Sequence, residues 1–136
     1  MHHIGFTGTL RGMSDLQKNG LRLVLRAAIT KHGFITLHHG DCVGSDEGAD
    51  RIAREEGAAI VIHPPFKGIL RAYCNDNGPT AVRDAAGYLE RNRHIVDETA
   101  LLVAAPQTTK EELRSGTWST VRYARTKSGN IIVLQR

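Results

Sequence analysis

Short apolar runs closed by glycine or proline alternate along this chain with longer stretches in which apolar residues recur at helical spacing. The runs occupy residues 2–6 (HHIGF), 34–39 (FITLHH), 58–63 (AAIVIH), 100–106 (ALLVAAP) and 130–135 (NIIVLQ), and each has the length of a strand. Helical segments separate them. The first covers residues 15–32 behind a Ser14 cap, with Leu16, Leu23 and Ala27 on its apolar face and Gly33 as its stop. The second, residues 46–57, is capped by Ser45 or Asp46 and ends at Gly57; the others cover residues 87–99 and 119–129. Residues 66–86 carry Gly, Asn, Asp and Pro without a clear period and read as a long surface loop with room for a short helix, and residues 107–114 read as a polar connection.

Strand–loop–helix units in series build a parallel sheet covered by helices on both faces. The expected fold is therefore α/β, a three-layer Rossmann-like domain with a mainly parallel sheet of about five strands. The 136 residues supply one core and too little for a second domain of ordinary size, so a single domain over residues 1–136 is expected.

In such a sheet the loops leaving the carboxyl ends of the strands meet at one edge, where ligands bind near the switch in strand order. Three of these loops are rich in Gly, Ser and Thr: GFTGTLRG (5–12), GDCVGSD (40–46) and SGTWST (115–120). Glycine lets the backbone approach a phosphate, and the following helix start supplies N–H donors and the favourable end of its dipole. The loops nominate Thr7, Gly8, Thr9 and Arg11, then Gly40, Asp41, Gly44, Ser45 and Asp46, then Ser115, Gly116, Thr117 and Trp118 as ligand-binding residues. Asp46 reads as a helix cap or an acceptor for a ribose hydroxyl. Trp118 stacks on a base or packs in the core or a dimer contact, and Tyr88 could do either job.

Other chemistries fit less well. Glycines at 5, 8 and 12 do not match the dinucleotide fingerprint, and no Gly-Lys-Ser/Thr loop for ATP phosphates is present. His38, His39, Asp41 and Cys42 are metal-ligand types, yet adjacent strand residues point to opposite faces, so no metal site is expected there. One of the two histidines is expected to be packed and the other exposed or facing a ligand. Without a placed base Cys42 reads as an inert thiol, and two cysteines outside any CxxC arrangement imply no disulfide framework.

A formal charge of +4, spread along the chain, favours an anionic partner, either a phosphorylated small molecule or nucleic acid. The chain has no apolar run of membrane-spanning length and no signal-like start, so a cytoplasmic location without membrane contact is expected. Nothing in the motifs calls for a resident cofactor.

Taken in order, GFTGT, HHGDCVGSD, YLERNRHIVDETALLVAAP and SGTWSTVRYAR resemble the SLOG superfamily, and within it the small stand-alone YspA-like proteins. That superfamily includes the LOG-type cytokinin-activating phosphoribohydrolases and the SMF/DprA DNA-processing proteins. The resemblance spans nearly the whole chain. It implies a Rossmann-like domain that binds nucleotides or nucleotide-derived ligands, often as a homodimer, and that in some members senses nucleotide signals in anti-phage defence.

LOG enzymes carry an Arg-Lys pair on a helix, then a Pro-Gly-Gly-x-Gly-Thr loop followed by a glutamate. Here the pair corresponds to Arg91 and Asn92, the loop to Gly116 and Thr117, and no carboxylate follows among Trp118, Ser119 and Thr120. Nine residues also separate Pro106 from Gly116 where LOG has a compact turn. By this resemblance Arg91 and Asn92 join the ligand set, Arg91 gripping a phosphate unless it pairs with Glu90 or Asp97 instead. The expected activity is binding of an ADP-ribose-type or cyclic nucleotide signal, as a sensor or sequestering protein, without LOG-type catalysis.

Two rivals stand beside it. One is a nucleotide hydrolase working through Glu90, Asp41 or Asp46. The other is a single-stranded DNA binder as in the SMF/DprA branch, against which the dispersed charge and an aromatic content of 5% both count.

Overall fold

The computed structural model describes residues 2–127 and 129–136. Its sheet holds β1 (His2–Gly8), β2 (Ile35–His39), β3 (Ala59–Ile62), β4 (Ala81–Val82), β5 (Leu101–Ala105) and β6 (Ile131–Val133). All neighbours pair in parallel, in the order β4-β3-β2-β1-β5-β6. The sixth strand exceeds the expected five. β4 is two exposed residues within the 66–86 segment, beside Val61 and Ile62, and so short and exposed a strand leaves no apolar pattern to read. The same segment folds into two 3-10 turns, Gly68–Leu70 and Cys74–Asn77.

Parallel strands need crossovers, and the helices that make them cover both faces of the sheet. They are α1 (Asp15–His32), α2 (Ser45–Glu55), α3 (Tyr88–Asp97) and α4 (Gly116–Arg125). One core joins α1 and α2 to the sheet through Leu21, Leu25, Ala49 and Ile52 against Ile4, Phe6 and Leu37. A second joins α3 and α4 to β5 through Val96, Trp118 and Val121 against Leu102 and Ala104. Among the described residues no helix is long and apolar enough to cross a membrane.

α1 starts in a reciprocal cap: Ser14 accepts from the Gln17 amide while the Gln17 side chain accepts from the Ser14 amide. Its buried stripe corrects the expectation. Leu16 and Leu23 are 60% and 66% exposed and Ala27 is exposed too, whereas Gln17, Leu21 and Leu25 face the sheet. A polar residue takes a core position because the Gln17 side-chain amide donates to the carbonyls of Pro106 (2.9 Å) and Leu134 (3.3 Å). That substitution turned the apparent apolar face.

α2 begins at Ser45 with Gly44 as its N-cap, so neither Ser45 nor Asp46 has the expected capping role. The two adjacent histidines of β2 do point to opposite faces, but both are fully buried, and neither reaches solvent or lines the cavity described below. His39 bonds Asp50 of α2, while His38 lies between His3 and His63.

β1 sits between β2 and β5, and the connections from these strands run to opposite sides of the sheet. The carboxyl ends of β1 and β5 therefore flank the crevice in which ligands of such sheets bind.

Candidate functional site

A cavity of about 500 Å³ occupies that crevice, within the range of small-molecule sites. The end of β1 and the loop after it contribute Thr7, Gly8, Thr9 and Arg11 to its wall, and the loop after β2 and the first turn of α2 contribute Gly40 and Asp46. Arg91 and Asn92 of α3 and Ser115, Gly116 and Thr117 at the start of α4 complete the part that the sequence suggests. The four segments, far apart in the chain, do come together.

Two glycines make the first two loops one unit. A β-carbon on Gly44 would stand 2.1 Å from the Leu10 carbonyl oxygen, and one on Gly8 would stand 2.5 Å from the Ser45 β-carbon. Gly44 also has a φ of 89°, which an L side chain rarely adopts. In the space so freed, both the amide and the hydroxyl of Ser45 donate to the Thr9 carbonyl, at 3.2 and 2.6 Å. Gly44 and Ser45 thus shape the cavity from behind its wall.

Asp41 and Trp118 lie elsewhere. The Asp41 carboxylate is fully buried and accepts from Arg71 Nε (2.7 Å) and the Cys74 amide (2.8 Å), pinning the 66–86 segment beside the site. Its own carbonyl accepts from Ala72, and Val43 donates to the Leu70 carbonyl, which sets Leu70 on the wall. The Trp118 ring is core, with Nε1 donating to the Thr108 carbonyl at 3.2 Å.

Of the two arginines on the wall, Arg11 is exposed and Arg91 is buried, at 5% exposure. Its Nη1 donates to the carbonyls of Gly40 (2.6 Å) and His63 (3.2 Å), and Nε donates to Asn92 Oδ1 (2.8 Å). The Tyr88 ring lies 5.4 Å away. Among the described residues no carboxylate forms an ion pair with Arg91; Glu90 is exposed toward His94, and Asp97 accepts from Tyr123. A buried guanidinium held by neutral groups keeps its charge available to a ligand anion.

The start of α4 adds donors. The first four N–H groups of a helix lack intrahelical acceptors, and the Ser115 hydroxyl takes that of Trp118, so the wall at Gly116 and Thr117 carries the positive end of the helix.

Asp46 is the only carboxylate on the wall among the described residues. Burial holds it above the usual carboxylate range, against the opposing pull of His39 and Arg91 and hydrogen bonds from the Cys42 and Gly40 amides. Burial likewise pushes the Cys42 thiol up, reinforced by Asp46, although its sulfur lies 3.7 Å from Arg91 Nη2.

Several wall residues lie outside the nominated set. Tyr88 and Ile95 share the Arg91 face of α3, a relationship that spacings of three and four residues make readable. Leu70 falls in a segment without period and gave no such signal. Gln107 also lines the cavity, and its buried Oε1 has no hydrogen-bond partner, leaving an acceptor open to a ligand donor. Together these groups suit a ligand with an anionic end, a flat or apolar body and at least one hydrogen-bond donor.

No family model matches the sequence, and no curated protein does. Solved structures do match. The chain superposes with a TM-score of 0.72 and 18% identity on the molybdenum cofactor binding protein of Rippkaea orientalis, covering 99% of this chain and 77% of that one. DNA processing protein A (DprA) of Streptococcus pneumoniae matches with a TM-score of 0.72 and 15% identity, over 98% of this chain and 50% of that one. The Helicobacter pylori DprA, described for its single-stranded DNA binding mode, gives 0.66 and 18% identity over 99% and 66%. The chain has the fold of these proteins. The DprA matches bear out the SLOG resemblance at the level of fold, and this chain spans half the length of the streptococcal protein.

Proposed function

We propose that the protein binds a nucleotide or nucleotide-derived small molecule, of the ADP-ribose or cyclic nucleotide kind, in the crevice cavity and acts as a sensor or sequestering protein. The observation that carries this reading is Arg91, a buried cation without an acidic partner among the described residues, beside the start of α4. A phosphate set against Arg91 and the Gly116–Thr117 amides leaves Tyr88 and Leu70 for a flat body, with Asp46 and Gln107 for its donors. The related folds named for a molybdenum cofactor and for single-stranded DNA support a ligand role for this fold. The same reading has a homodimer in the cytoplasm and a place in nucleotide signalling against phage.

Catalysis of the LOG type lacks its carboxylate after Thr117. The hydrolase reading then rests on Asp46, because Asp41 is spent on Arg71 and Cys74 and Glu90 is exposed away from the cavity.

The test is mass spectrometry of small molecules released on denaturing the purified protein, followed by calorimetric titration with AMP, ADP-ribose and cyclic nucleotides. An intact nucleotide bound at sub-micromolar affinity, and lost in Arg91→Gln, is the expected result. Free base and ribose phosphate accumulating with time would establish the hydrolase instead. No binding of any of these compounds would overturn the nucleotide reading.

A further inference from the structure

The partners of Arg91 decide which of its nitrogens a ligand can use. A guanidinium has five N–H groups. Nη1 directs its two to the carbonyls of Gly40 and His63, and Nε directs its one to Asn92 Oδ1 at 2.8 Å. Nη2 meets no oxygen acceptor among the described residues, only the Cys42 sulfur at 3.7 Å, a weak acceptor. The Nε–Nη2 side and the Nη1–Nη2 end of the guanidinium each have one arm in use. Nη2 is the nitrogen left for an anion.

The partners are also neutral, and elsewhere in the chain the opposite choice is made. Arg71 donates to Asp41 at 2.7 Å and Arg54 donates to Asp50 at 2.8 Å, and both carboxylates are fully buried. A carboxylate at that distance offsets the cation and weakens its pull on a second anion. At residue 92 the same outcome is one atom away. Aspartate differs from asparagine only in an oxygen for the amide nitrogen, so it would keep the bond from Nε and add a negative charge to it.

Asn92 follows Arg91 on α3 and is only partly exposed. It lines the cavity and also a groove of about 300 Å³ between α3 and α4, beside Leu89, Arg93 and Tyr123. Its side chain therefore stands at the wall between the two, with Oδ1 turned to Arg91.

We propose that Asn92 is a positioning residue for the ligand anion: its neutral Oδ1 fixes the guanidinium through Nε, leaves the charge of Arg91 undiminished, and leaves Nη2 to take a phosphate oxygen. The inference rests on the reading of the cavity as the site of a nucleotide phosphate, and it takes Asn92 out of the groups that touch that phosphate. The amides of Gly116 and Thr117 serve the remaining oxygens.

The test compares Asn92→Asp with the unaltered full chain by calorimetric titration with AMP and with adenosine, and by melting temperature at rising inorganic phosphate concentration. The change is nearly isosteric and partly exposed, so the fold should persist. AMP affinity should fall about tenfold or more and the stabilisation by phosphate should vanish, while adenosine affinity stays within about twofold. A purely structural role would lower AMP and adenosine together. Asn92→Ala removes the anchor without adding charge and should weaken AMP by about threefold. Arg93→Gln makes the same change in net charge one residue along, off the cavity wall, and should alter neither affinity by more than about twofold.

AMP affinity in Asn92→Asp equal to that of the parent, or parallel losses for AMP and adenosine, would overturn the role of Asn92 and leave the nucleotide reading standing. Stabilisation by phosphate that is lost in Asn92→Asp, in a protein that does not bind AMP, would support the role and remove the nucleotide. A parent that responds to neither phosphate nor AMP would overturn both.

Discussion

The guanidinium of Arg91 occupies the space that any side chain at residue 40 would need: a β-carbon on Gly40 would stand 2.6 Å from its ζ-carbon. The glycine that suggested a phosphate loop therefore admits the cation instead. Gly40→Ala should push Arg91 aside and weaken nucleotide binding about as much as Arg91→Gln does, ~30-fold or more, the equivalent of ~2 kcal/mol. Parallel titrations of the two variants check this. Unchanged affinity in Gly40→Ala would mean that the position of Arg91 does not matter.

Gly44→Ala should act on the fold before it acts on binding. The new methyl group meets a backbone carbonyl at 2.1 Å in a backbone conformation that disfavours it, so a loss of about 2 kcal/mol or more is expected. Urea unfolding followed by circular dichroism reads it. A midpoint within error of the parent would show that the first loop can move away freely.

Asp46→Asn keeps the shape of the side chain and removes its charge. The Asp46 oxygen that accepts from the Cys42 amide at 3.2 Å has an amide counterpart in asparagine, so the fold should persist. Binding of an AMP-like ligand should change by tenfold or less if Asp46 only accepts from a hydroxyl or ring N–H. If the protein proves to be a hydrolase, turnover should fall by about a hundredfold or more, as for a lost general acid or base. Affinity and rate measured on one preparation separate the two roles.

Acid should weaken the α2 side of the core through Asp50. Burial pushes this carboxyl up, but hydrogen bonds from His39 and Arg54 outweigh it and hold its pKa below the ordinary aspartate value. A depressed carboxylate pKa contributes stability above the unfolded value, and that contribution is lost as pH falls through the folded one. Unfolding midpoints should therefore drop below about pH 4. Asp50→Asn should be less stable than the parent at pH 6 and should show a smaller further loss between pH 4 and pH 3.

Both thiols should resist alkylation in the folded protein. Burial raises the Cys42 and Cys74 pKa values, and both residues are enclosed. Iodoacetamide at pH 7.5, followed by mass spectrometry, should label neither within minutes and both after unfolding. Rapid native labelling of Cys42 would show that the cavity opens wider than the structure indicates.

Much of the architecture is readable from the sequence because parallel strands buried on both faces stand out as apolar runs. The Gly, Ser and Thr of the loops after β1 and β2 and before α4 mark where those runs open. What escapes is local or long-range. β4 is two exposed residues held by register alone. Gln17 stands in a core position that only its distant partners, Pro106 and Leu134, explain. Asp41 sits in the expected loop yet faces Arg71 and Cys74, contacts 30 or more residues away along the chain. Trp118 offered two readings, and its bond to Thr108 places it in the core. The pairing of His38 with His63, 25 residues apart, has no sequence signal at all.

The interlock of Gly8, Thr9 and Ser45 reaches beyond this one molecule. A serine that spends both its donors on one carbonyl, against a glycine with no room for a methyl, makes the two loops heritable as a pair. A larger residue at 8 calls for a smaller one at 45, and only a residue at 45 without a β-carbon removes the closest obstacle to a side chain at 8. Evolution along this lineage should therefore pass through Ser45→Gly before it reaches Gly8→Ala, and rarely in the reverse order.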